Sequence, residues 1–322
     1  MPMLKVFAVW VATLTLGCGL SQIARAETPV VIAISGWTGF APLVLAKESG
    51  IYKKNGLDVT IKNIPQKDRH LAIASGDVQC AATTVETWIV WNANGIATTQ
   101  LFKMDQGMGA DGIVAKNGIA KVTDLKGKTV AASARGTSPY FFLAWALKKN
   151  GLTVKDVNIV TLEPAPAASA FVAGNAGLDA AVTYEPYLSL VNDNPKAGRL
   201  LADSIQYPVV FDTFGCTTQF IKASPKAAKA LTESYFEALD LIARDKMKAF
   251  TIMGAGTKQT ARQFEKSQAK IKWADREANV RFFNGEIQSF NKEAAVLLRE
   301  IGVVRTAPVN MDALFDTSFL KK

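Results

Sequence analysis

Lys53-Lys54-Asn55-Gly56-Leu57 is written once near the start of this chain and again far downstream as Lys148-Lys149-Asn150-Gly151-Leu152. Each copy reads as the end of a helix followed by a left-handed Gly turn. Working upstream, Gly36-Trp37-Thr38-Gly39-Phe40 lines up with Gly136-Thr137-Ser138-Pro139-Tyr140. Working downstream, Ala81-Ala82-Thr83-Thr84-Val85-Glu86 lines up with Ala180-Ala181-Val182-Thr183-Tyr184-Glu185. Both copies therefore run strand, Gly turn, helix, stop, strand, helix, Ala-rich strand. Strands alternating with helices imply βαβ units and a parallel sheet. Two such α/β lobes facing each other make a cleft.

The elements between these landmarks follow from local pattern. Val30–Ser35, Leu57–Lys62 and Val78–Thr83 read as strands, with helices over Pro42–Ser49 and 67–75. Thr84 caps a helix that carries Trp88 and Trp91, and Thr99–Met104 is extended again. In the second block, Ile113–Ala115, Thr129–Ser133, Val157–Leu162 and Leu178–Thr183 are strands, and Ser138–Lys149 is a helix with Pro139 in its first turn. Val209–Phe211 leads into Thr217–Ile221, whose character resembles a return into the first lobe. From Ser224-Pro225 onward the pattern is helical, with no strand expected, and this tail should pack on the lobe it rejoins. The expected plan is residues 27–111 with 213–322 in one lobe and 112–212 in the other.

The N-terminus reads as an export signal. Lys5 precedes an apolar run, Val6–Leu20, and Ala24-Arg25-Ala26 fits the small-x-small rule, so cleavage is expected after Ala26. That run is shorter than the roughly 20 residues a spanning helix needs. The formal net charge of +9 is scattered over helix ends and polar faces instead of clustering with aromatics, which argues against a nucleic-acid partner. A single histidine, His70, and no Cys-x-x-Cys rule out the common His and Cys metal clusters, so neither a metal nor a cofactor is expected. Cys80 and Cys216 lie in apolar or small-residue runs and are expected to be buried free thiols, a bridge being the alternative.

Gly36-x-x-x-Phe40-x-Pro42 followed by Ala46-Lys47-Glu48-x-Gly50-Ile51-Tyr52-Lys53-Lys54-x-Gly56-Leu57-Asp58-Val59 resembles the solute-binding proteins of ABC importers, in the nitrate, sulfonate and taurine class. That class is similar in fold to the thiamin-pyrimidine synthase-like proteins. Ala74–Val78, Asp124–Lys128, Phe171–Gly174 and Asp179–Ala181 match further blocks, to about residue 220. The resemblance implies an α/β, two-lobed type II periplasmic-binding-protein fold. It also implies a monomer in the periplasm that closes on a small molecule and docks on a transmembrane permease. Gly109-x-Asp111-Gly112-Ile113-Val114-Ala115-Lys116 resembles members that accompany urea or guanidine use.

In open α/β sheets ligands sit beyond the carboxyl ends of the strands. Those ends carry Trp37 and Thr38, Thr84 and Glu86, Thr137 and Ser138, and Tyr184 and Glu185, while Asp111 and Asp212 mark the two crossovers. Trp37 is expected as an aromatic wall. Trp88 is a weaker candidate, since a Trp three residues from another on a helix is more often core. Glu86 and Glu185 have the alternative role of neutralising helix N-termini, and Thr137 and Ser138 that of an N-cap. Four acids against Arg135 and His70 favour a cationic or urea/guanidine-like ligand, because a buried carboxylate without a partner is costly. An anionic sulfonate, taurine or nitrate is the alternative. An enzyme is disfavoured: the synthase relatives use an iron-dependent, Cys- and His-rich centre that this chain lacks. A sensory clamp is not separable from a transport one by sequence.

Overall fold

The computed structural model describes residues 27–175, 177–308 and 310–321. Residues 1–26, where the export signal is expected, lie outside the described residues. In chain order the strands are β1 (Thr28–Ile34), β2 (Leu57–Asn63), β3 (Cys80–Thr84), β4 (Thr98–Gly107), β5 (Asp111–Ala115) and β6 (Thr129–Ala132). They continue as β7 (Asn158–Thr161), β8 (Ala180–Tyr184), β9 (Arg199–Asp203), β10 (Phe211–Thr217) and β11 (Ile271–Trp273).

Two sheets form, ordered β11-β4-β10-β3-β1-β2 and β7-β6-β8-β5-β9. The duplication is visible in this order: β2-β1-β3-β10-β4 has the same plan as β7-β6-β8-β5-β9. Within each copy the βαβ strands are parallel, β1 with β2 and β3, and β6 with β7 and β8. The sheets are nevertheless mixed, not wholly parallel. β10 runs antiparallel to β3, and β5 antiparallel to β8. Each of these strands arrives from the other sheet through a crossover, so no right-handed βαβ connection dictates its direction.

The repeated stop sequence behaves the same way twice. Gly56 and Gly151 adopt φ of +77° and +74°, the left-handed exit that Cβ-bearing residues avoid. Lys53, Lys54, Lys148 and Lys149 lie in the last turns of their helices, where cations meet the negative end of the dipole.

The return segment is a strand over Phe211–Thr217, and Thr217 caps the short helix Thr218–Ala223 through its hydroxyl. Two expectations are corrected. The helical tail does contain a strand: β11 adds to the β4 edge, antiparallel. Cys80 and Cys216 form a disulfide, because β3 and β10 place them directly opposite each other.

The tail also reaches further than the lobe it rejoins. Asn279 knits it to β4 by accepting from the Lys103 amide at 2.7 Å and donating to the Lys103 carbonyl at 3.0 Å. Helix Ile287–Glu300 then crosses to the second lobe. There Phe290 packs on Phe141 and Trp145, and Glu293 and Glu300 pair with Lys149 and Lys148.

Candidate functional site

Between the lobes lies a cavity of about 20 Å³ lined by both copies of the repeat. The first lobe contributes Ser35, Trp37 and Phe40 after β1, Gln66 and Arg69 after β2, and Thr83 and Thr84 at the end of β3. The second contributes Ser138 and Tyr184, while Asp111, Val210 and Asp212 come from the two crossovers. These positions are the carboxyl ends of the parallel strands, where βα loops leave backbone and side chains free to face a guest. Such a volume holds roughly one or two waters. A solute of a few heavy atoms would touch every wall.

Register explains why two aspartates meet here. Asp212 pairs with Thr84 at the start of β10, and Asp111 pairs with Tyr184 at the start of β5. The duplication thus places one acid from each crossover at equivalent ends of the two sheets. Both are buried, and their carboxyls are pushed well above the usual range, first by desolvation and then by repulsion from Asp105 and from other acids nearby. Asp111 Oδ2 has no hydrogen-bond partner.

Asp105 was not foreseen from the sequence. It lies behind Trp37, accepting from the indole Nε1 at 3.1 Å, and its carboxyl contacts that of Asp212. Burial raises it to about 7. Trp37 is thereby fixed edge-on to Tyr184, with ring centroids 5.4 Å apart. Gly39 has to be glycine here, since a Cβ would run into the Trp37 indole nitrogen and the Asp105 carboxyl.

Arg69 and Gln66 were also missed. The Arg69 guanidinium is 1% exposed and donates to the Ile64 and Ala82 carbonyls at 2.9 and 2.6 Å, leaving Nη2 without a partner. Burial lowers its pKa to about 10, so it stays charged at neutral pH. Gln66 opens the helix Gln66–Ala74 directly after Pro65. The strand-end rule used on the other loops would have found this loop too, because it follows β2.

Of the expected residues, the structure brings Trp37, Thr84, Asp111, Ser138, Tyr184 and Asp212 to the cavity wall. The others are placed differently. Glu86 is buried behind Thr84, whose hydroxyl donates to it, and desolvation raises its carboxyl to about 7. Glu185 does not line the cavity; its buried carboxylate takes Lys270 Nζ at 2.6 Å and the Ser189 amide at 3.1 Å. Thr38 hydrogen-bonds toward Ser267 and Gln259 of the tail. Trp88 donates to the Thr213 hydroxyl at 2.7 Å and packs edge-on to Trp91, a core role. Thr137 turns its hydroxyl to the Ala134 carbonyl. Its residue lines an outer chamber of about 200 Å³ with Gln66, Lys67, His70 and Arg135.

A duplicated α/β framework with a buried polar cavity between its halves defines a periplasmic-binding-protein fold. The family profile described as NMT1/THI5 like matches residues 37–249, and the chain belongs to that family. The taurine-binding periplasmic protein of Escherichia coli (strain K12) is 28% identical over 231 residues, 70% of each chain. Among solved structures, the alkanesulfonate-binding protein of Xanthomonas axonopodis pv. citri, bound to MOPS, aligns with a TM-score of 0.73 at 20% identity. That alignment covers 92% of this chain and 100% of the other. The periplasmic nitrate-binding protein of Synechocystis PCC 6803 gives a TM-score of 0.70 at 18% identity, over 89% and 84%. These two likenesses are of fold.

Proposed function

We propose that this chain is the solute-binding component of an ABC importer, working in the periplasm and delivering a small molecule to a membrane permease. Residues 27–111 with 213–322 form one lobe in this reading, and 112–212 the other. Solute bridges the lobes, the closed form gains population, and that form docks on the permease. Membership of the family and the functions named for its relatives support the importer role.

For the ligand we favour a small cation, guanidinium-like or a close hydrogen-bond donor of that shape. The observation that carries this is the meeting of Asp111 and Asp212 in one cavity, with the Asp105 carboxyl in contact behind. Guanidinium is planar, matches carboxylates with paired N–H groups and stacks on aromatic faces, here Trp37 and Tyr184. A second reading, an anion such as taurine or an alkanesulfonate, is favoured by the free Nη2 of Arg69 and by the named relatives. Calorimetric titration with guanidinium, urea, taurine and nitrate separates them. Micromolar or tighter guanidinium binding is the expected result; tight taurine or nitrate binding with none for guanidinium refutes the cation.

A further inference from the structure

The inner cavity and the outer chamber share a wall residue, Gln66, and its side chain is engaged at both ends. Nε2 lies within donating distance of three hydroxyls of its own lobe, Thr83 at 2.9 Å, Thr84 at 3.2 Å and Thr87 at 2.9 Å. Oε1 accepts the Ser138 amide of the other lobe at 3.1 Å. Ser138 opens the twelve-residue helix Ser138–Lys149, and the N-cap residue, Thr137, supplies no side-chain cap because its hydroxyl is turned to Ala134. The capping acceptor therefore comes from across the cleft.

From this we infer that Gln66 is the closure latch of the clamp, a positioning residue that ties solute occupancy to lobe approach. The inference rests on the reading that solute binds between the lobes. Its logic is a difference between two states. When the lobes part, the Ser138 N–H loses its acceptor to water, so the bond stabilises the closed form alone. Thr84 belongs to the same network: it lines the cavity, donates to Glu86 and lies by Gln66. A guest that orders Thr84 also orders the amide that reaches the second lobe.

Two substitutions separate latch from wall. Gln66→Ala removes everything. Gln66→Glu keeps an oxygen for the Ser138 N–H, at a helix end that favours negative charge, but cannot donate to the three threonines. The measurements are guanidinium release followed by Trp fluorescence, amide exchange at Ser138, Tyr140 and Phe141 with solute bound, and thermal unfolding without added solute. Gln66→Ala is expected to speed release about tenfold, the worth of a hydrogen bond present in one state only. It should also raise exchange at Ser138, Tyr140 and Phe141, whereas Gln66→Glu should retain slow exchange; both variants lose the threonine bonds within the first lobe and should melt lower than the wild type. Wild-type exchange in Gln66→Ala, or equal loss of protection in both variants, overturns the latch. If guanidinium does not bind the wild type, the proposed ligand class fails, and the same release and exchange comparison made with whichever of urea, taurine or nitrate does bind decides the latch.

Discussion

Acidification acts in opposite senses on a cation and an anion in this cavity, and the carboxyls set the size of the effect. Asp105 contacts Asp212 and is raised to about 7 by burial; Asp111 and Asp212 are raised well above the usual carboxylate range, first by desolvation. A guanidinium guest keeps its charge across this range, whereas the acids it needs must be ionised. If one acid of pKa about 7 has to lose its proton, apparent affinity falls about 90-fold between pH 8 and pH 5, close to a decade per unit once below pH 6. Each further acid that must ionise, Asp111 or Asp212, steepens the fall. Binding should release protons, about half a proton at pH 7 for each such acid. Titrations at pH 5, 6, 7 and 8 read the first effect, and repeating them in buffers of different ionisation enthalpy reads the second. Without solute the sign reverses. Glu86 and Asp105 have folded values of about 7 against ordinary values of 4.5 and 3.8, so the folded state holds their protons more tightly. Stability without solute should therefore rise as pH falls from about 7 toward 5 and be lost as pH climbs through the folded values. A guanidinium dissociation constant that stays within twofold from pH 5 to 8, or tightens on acidification, refutes the reasoning.

Reduction of the Cys80–Cys216 bridge, whose partners are 136 residues apart, removes about 5 kcal/mol of stability on the chain-entropy account. Urea denaturation with and without reductant measures it, and a loss under 1 kcal/mol contradicts that account. Gly39→Ala drives a methyl into the Trp37–Asp105 pair, so solute binding should weaken at least tenfold with wild-type circular dichroism and a shifted Trp emission. Lys270→Met strips the partner from Glu185, which is fully buried while Lys270 is one-third exposed. The expected cost is about 1–3 kcal/mol in thermal or chemical unfolding, below that of a fully buried pair because water reaches the lysine side.

The repeat, the order of strands and helices as far as β10, and the crossovers marked by Asp111 and Asp212 were legible in the chain because they depend on local chemistry. A Gly that must turn left-handed, an apolar β-branched run or a base at a helix end carries its meaning within a few neighbours. Trp37, Thr84, Ser138 and Tyr184 were legible for the same reason, each lying at the end of a strand where the loop must face the cleft. Only the tertiary structure settled what depends on pairing between distant segments. The alignment of β10 with β3 made a disulfide of two cysteines that had looked like separate buried thiols. The same strand brought Asp212 against Asp105, an acid inside β4 that no spacing in the sequence distinguishes. Glu185 held a strand-end position as good as that of Tyr184, yet its carboxylate is taken by Lys270 from the tail and does not line the cavity. Gln66 joins two lobes through one amide. A carboxylate or amide goes to the partner that best compensates its lost hydration, and in a folded chain that partner can come from any part of the sequence.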